Sequence, residues 1–206
     1  MPNVFDYCLV ADAGIVGGTT GVITTFSGNI YAGNDTNASV DPTAEWTCQC
    51  GKINTGEFCT FCFAKKNVDL GGIKCSSMHN WTVDGLSKIV SAGPITLDQG
   101  ATFTAGEETS CWTDGLVLLK FPDVDADGDG VGDAAGETLN LLGNTYVRDD
   151  LTIEGKALVN LAGNYYGFGY GSTAGESSAI IMNGKNAVLD MTALERLMLG
   201  GNAYVQ

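Results

Sequence analysis

Residues 138–170 read TLNLLGNTYVRDDLTIEGKALVNLAGNYYGFGY, and this stretch decides the fold. Apolar and polar residues alternate in "TLNLL", "LTIEG" and "ALVNLAG", and each run stops at Gly or Asn. Alternation of period two places one set of side chains on one face, which is the signature of a strand. Gly and Asn tolerate positive φ and so suit the corners of a chain that must bend sharply. Within the stretch a tetrapeptide G-N-x-Y occurs twice, at Gly143-Asn144-Thr145-Tyr146 and Gly163-Asn164-Tyr165-Tyr166, 20 residues apart.

Working outward, the tetrapeptide recurs at Gly28-Asn29-Ile30-Tyr31 and Gly201-Asn202-Ala203-Tyr204. Asn183-Gly184 lies midway between the last two copies, and the first two are 115 residues apart, about six units of 19. A repeat of this length built from short strands predicts an all-β fold, a right-handed parallel β-helix (solenoid) with short inserted loops. In such a fold each coil buries its inward residues only by stacking on the next. The rival is a β-sandwich with irregular hairpins. One segment allows a local exception. In "MTALERLMLGG", Thr192 precedes Glu195 by a capping-box spacing and Gly200 could end a helix of two turns, whereas Leu194, Leu197 and Leu199 could equally face inward in a last coil.

Composition agrees with strands and turns. Of 206 residues, 29 are Gly and only 17% are charged, while 44% are apolar, enough for a core. Twenty-four acids against ten bases give a net charge of −14, which disfavours nucleic acid and anionic membrane surfaces as partners and favours divalent cations. No run reaches the length of a membrane span, and the start lacks the basic region of a signal peptide. The last residues stop in a strand-like pattern without a polar cap, so 1–206 reads as a single solenoid domain cut from a longer chain.

Two inserts carry metal chemistry. Residues 46–66 read WTCQCGKINTGEFCTFCFAKK, with Cys48-x-Cys50 and Cys59-x-x-Cys62 as two close pairs. Zinc takes four thiolates tetrahedrally, and a short turn at Asn54-Thr55-Gly56 can bring the pairs together, so the insert 43–66 reads as a zinc knuckle. Four thiolates would leave no open position for water, which makes the site structural. Two disulfides are the alternative, although pairing within C-x-C is strained. The string resembles the short zinc ribbon W-x-C-x-C-G-x-x-N-x-G-x-F-C-x-x-C-G, with Phe63 where that pattern has Gly. His79, the only histidine, follows Cys75 by four residues and reads as a loop residue, with a weaker second metal site as the rival. Cys8, Cys75 and Cys111 could be buried apolar groups or a pair.

The second insert, 122–137, contains DVDADGDGVGDAAGE. Asp123, Asp125, Asp127, Asp129 and Asp133, with the carbonyl of Val131, offer the oxygens that calcium requires, and Gly130 permits the turn. Gly136 holds the twelfth position where an EF-hand has Glu, and Glu137 comes one place late. The string resembles the calcium loops of thrombospondin type 3 repeats.

Residues 165–205, together with the start "NVFDYCLVADAGIVGG" and "FSGNIYAG", resemble β-helical surface proteins of clostridia-like bacteria, some of them associated with type IV pilus assembly. The resemblance implies a structural, non-enzymatic protein at the cell surface or outside the cell, held by an anchor outside this segment. It also implies cell-envelope or pilus proteins as partners. A carbohydrate-active β-helix enzyme, a polysaccharide lyase or glycoside hydrolase, is the main rival. A lyase needs clustered Arg or Lys, yet from residue 138 onward only Arg148, Lys156, Lys185 and Arg196 occur, and they are dispersed. A hydrolase needs facing carboxylates, for which Asp149, Asp150, Glu154 and Asp190 are the candidates. A glycan-binding adhesin is the third reading. It would use Tyr165, Tyr166, Phe168 and Tyr170 as an exposed platform, the alternative being aromatics packed in the coil's own core.

Overall fold

The computed structural model describes residues 8–11, 14–17, 22–33, 45–47, 52–54, 72–76, 78–119, 136–170, 178–184 and 186–205. The zinc set (Cys48, Cys50, Cys59, Cys62) and the calcium set (Asp123, Asp125, Asp127, Asp129, Val131, Asp133) lie outside the described residues. Among the described residues there is no helix, and all strand pairings are parallel except one.

The chain visits three files of strands in a fixed order. The first file holds Leu9–Ala11, Ile30–Ala32, Lys88–Ser91, Ser110–Thr113 and Thr145–Val147, then residues 165–167 and 197–199. The second holds Ile15–Gly17, Ile73–Cys75, Ile95–Leu97, Leu116–Leu118, Leu151–Ile153, Ser178–Met182 and Asn202–Val205. The third holds Ile23–Ser27, Asn80–Asp84, Thr102–Ala105 and Thr138–Leu141, then residues 158–161 and 188–190. Leu158–Gly167 and Val188–Leu199 are long enough to turn the corner from third file to first, and they join those files into one sheet of 11 strands beside the second file's sheet of seven. Gly163, at φ +60°, sits at that corner, where a side chain would also crowd the Gly143 carbonyl.

Local alternation and stacking meet in the core. In "ITL" and "LVL" the outer residues are buried and the middle one is half-exposed. Parallel pairing in register then places like on like, so Ile15, Ile73, Ile95, Leu116, Leu151 and Ile180 form one inward row. Each such side chain contributes ~1.5–3 kcal/mol when fully buried. In the third file Trp81, Phe103, Leu139 and Val159 make the corresponding row. Trp81 is accommodated because the facing residue of the second file is Gly17, where any Cβ would overlap the indole ring.

Two long stretches of chain separate consecutive strands at the corners. Between first and second files the chain leaves after Gly33 and returns at Gly72, and the Gly72 N–H donates to the Gly33 carbonyl at 2.8 Å. Within it, Trp46–Thr47 and Ile53–Asn54 form the one antiparallel pair among the described residues. The second excursion runs between the second and third files, after Leu119 and before Gly136. Register continues past both, with Ile30 opposite Ile89 and Phe103 opposite Leu139.

One open reading is resolved and one expectation needs correction. Of the two readings left for the segment 192–200 the strand holds, since residues 192–199 belong to Val188–Leu199. Val188–Leu199 pairs along Leu158–Gly167 with two register shifts, and Leu189, Leu194 and Leu199 pack on the core while Leu197 stays 41% exposed. A two-turn helix is marginal by itself, whereas a ready parallel edge offers a full ladder of hydrogen bonds. Asp190, not Thr192, supplies the local cap, accepting from the Thr192 N–H and hydroxyl at 2.8 and 2.7 Å. The repeat count also changes. Tyr31 pairs with Val90, Val90 with Trp112 and Trp112 with Tyr146, so three circuits rather than six separate the first two tetrapeptides. The excursions absorb the remaining length. The fourth tetrapeptide lies in the second file, where Tyr204 pairs with Ile181.

Candidate functional site

Because strands in a file stack in register, their outward residues stack as well. On the first file this row is Val10, Tyr31, Val90, Trp112, Tyr146, Tyr166 and Met198. The rings of Trp112 and Tyr146 lie 5.2 Å apart at 4°, and those of Tyr146 and Tyr166 4.8 Å apart at 3°. Such pairs add ~0.5–1.5 kcal/mol each beyond their buried area. The last residue of three of the four G-N-x-Y motifs is therefore an outward rung, placed by the strand that the Gly-Asn corner starts.

A second row runs beside it, made of the residue that follows each first-file strand: Gly33, Ala92, Asp114, Arg148 and Phe168. The two rows border a groove of about 800 Å³ along the corner between first and second files. The side chains along it are smallest at Gly33 and Ala92. Tyr170, 70% exposed and stacked on Phe168 at 6.1 Å and 8°, borders it with Phe168. Backbone bonds from Phe168 and Tyr170 to the carbonyls of Val147 and Arg148 hold that segment in place.

The groove carries one ion pair. Arg148 Nε donates to Asp114 Oδ1, and this bond raises the guanidinium pKa further. Asp149, beside it, has its carboxyl pKa raised first by burial, then by Asp150 and Asp114. Asp150 is raised by burial and partly relieved by the Thr152 hydroxyl, which donates to it at 2.8 Å. Beneath the rows Ser91 and Thr113 turn inward and donate to the Gly93 carbonyl, so their hydroxyls serve the corner.

The expected aromatic platform is split by the strand's own alternation. Tyr165 is fully buried, its hydroxyl pKa raised by burial, and it leaves the set of ligand candidates. Tyr166 joins the outward stack, and Phe168 and Tyr170 border the groove. Sequence reading missed Tyr31, Val90, Trp112 and Tyr146 as members of one surface. The tetrapeptide marked two of them, but as turn punctuation. The carboxylates weighed for hydrolysis are dispersed: Asp190 is in the third file, Glu154 follows a second-file strand, and Asp149 and Asp150 stand together at the first–second corner. On the outer third file Asn160 donates to Asn140 at 2.7 Å and Asn140 to Thr104 at 3.0 Å, a polar ladder.

Cys75 and Cys111 are unpaired and buried, and Cys8 is unpaired and exposed. Burial pushes the Cys111 thiol up to about 12, and burial followed by the Asp98 charge pushes Cys75 well above the usual thiol range. His79 precedes the strand Asn80–Asp84 and is buried, its Nε2 2.8 Å from the Thr24 hydroxyl and its ring edge-on to Trp81. Among the described residues no three His, Cys, Asp or Glu side chains are grouped to hold a metal. At the second–third corner Asp98 and Glu137 are buried, with Lys74 3.9 Å from Asp98. Burial pushes the Glu137 carboxyl up to about 7 against the pull of nearby backbone N–H groups. No protein-family model, curated protein or solved structure matches this chain.

Proposed function

We propose that the chain is a right-handed parallel β-helix and serves as a structural, non-enzymatic rod at a cell surface. Parallel strands joined by crossovers wind right-handed almost without exception, which supports the hand. The observation that carries the structural reading is the continuous parallel pairing: three files of strands stay paired across intervening segments of very different length. A framework that tolerates such insertions without repacking is suited to displaying loops from a fixed axis. The outer Thr–Asn ladder fits a built surface better than a catalytic cleft. Zinc on the Cys48–Cys62 insert and calcium on the Asp123–Asp133 insert would stiffen the loops displayed. Envelope or pilus proteins are the partners this reading names.

The purified chain is expected to release neither new reducing ends nor unsaturated uronate absorbance from a panel of acidic and neutral polysaccharides. Turnover of any of them, abolished by Asp149→Asn or Asp150→Asn, would replace the structural reading with an enzymatic one.

A further inference from the structure

The outward row of the first file has one break. Trp112, Tyr146 and Tyr166 stack continuously, but the rung on the other side of Trp112 is Val90, and Tyr31 stands beyond it. Valine has no ring, so the indole face turned away from Tyr146 has no aromatic cover from its own row. In the neighbouring row Gly33 and Ala92 flank the same position with almost no side chain. Between Tyr31 and Trp112 the row therefore carries only the short Val90 side chain, and Trp112 is 36% exposed.

Charge, spacing and surface chemistry decide what fits. The charged side chains lining the groove are Asp114 and Arg148, and they are bonded to each other, so a formally charged ligand finds no uncompensated partner. The paired guanidinium and carboxylate do present donors and acceptors side by side, which suits vicinal hydroxyls. An open indole face takes the flat, C–H-rich side of a pyranose. Tyr31 and Trp112 stand two rungs apart in register with Val90 between them, so at about 4.8 Å per rung one flat ring fits between them. We propose that the groove binds a neutral saccharide, with one pyranose seated over Val90 between Tyr31 and the indole of Trp112. This goes beyond the rod reading, since a rod that binds no sugar is still a rod.

Calorimetric titration with hexamers of N-acetylglucosamine, glucose and mannose, with polygalacturonate as the charged comparison, tests it. At least one neutral hexamer is expected to bind the intact chain, to perturb tryptophan fluorescence in wild type and not in Trp112→Phe, and to bind better than polygalacturonate. Val90→Trp should fill the missing rung, keep the thermal midpoint, and weaken binding by at least about tenfold. Ala92→Phe should do the same from the second row, which keeps the test decisive if one variant fails to fold. No binding by any neutral hexamer, preference for polygalacturonate, or unchanged affinity in folded Val90→Trp would each overturn the proposal. So would an extended peptide library that binds the groove where no sugar does. None of these results touches the continuous parallel pairing on which the rod reading stands.

Discussion

A single missing side chain explains how the widest residue of the third file fits inside a narrow stack. Trp81 is almost fully buried between Phe26, at 5.2 Å, and Phe103, at 6.5 Å, and its indole occupies the volume that a Cβ on Gly17 would need. Overpacking a core typically costs ~1–3 kcal/mol. Gly17→Ala is expected to lose stability in that range in urea unfolding, and Trp81→Leu in the same background should recover part of it, because the two sites share one volume. Equal stability of Gly17→Ala and wild type would show that Trp81 is seated elsewhere. The same scale separates Tyr165 from Tyr166. They adjoin in the chain, yet one is in the core and the other on the surface, because a strand turns successive side chains to opposite faces.

Among the elements, the corner between second and third files holds a buried carboxyl whose pKa is raised toward neutral pH. Glu137 enters the third file just before Thr138–Leu141, buried beside Asp98, and its carboxyl is raised from 4.5 to about 7. The folded state therefore holds this proton more tightly than the unfolded chain does. That contribution is complete below pH 4.5 and is lost as the pH rises through about 7. With chelator present, the thermal midpoint is expected to fall between pH 5 and 8, and Glu137→Gln should flatten the slope. A slope identical in the variant would assign the pH dependence to other groups. The element at 188–199 teaches a related lesson. Its capping-box spacing is a local helix signal, but the exposed edge of Leu158–Gly167 captured it as a strand, since pairing supplies hydrogen bonds that a short helix leaves unmade at its ends.

At the scale of the whole molecule, the inward apolar rows join the stacked strands, and the residues proposed to hold zinc and calcium are not among them. Metal analysis of the purified chain is expected to find about one zinc and about one calcium. Cys59→Ser with Cys62→Ser should remove the zinc, and Asp127→Asn with Asp129→Asn the calcium. Both variants should keep the far-ultraviolet strand spectrum, because the inward rows do not include those residues. Collapse of the strand signal on losing either metal would mean that the loops, not the rows, hold the molecule together. How much of this was legible in the chain depends on distance. "ITL", "LVL" and "TLNLL" each state which side chain faces in, and the Gly-Asn corners state where a strand begins, since both are matters of neighbouring residues. Short parallel strands followed from them. The partner of each strand did not, because excursions of unequal length erase any fixed period, so Tyr31 and Tyr146 look six repeats apart and are three circuits apart. The aromatic groove was hidden for the same reason: Val90, Trp112 and Tyr146 become neighbours only when the circuits stack, and register between circuits is set by the partner strand rather than by spacing along the chain.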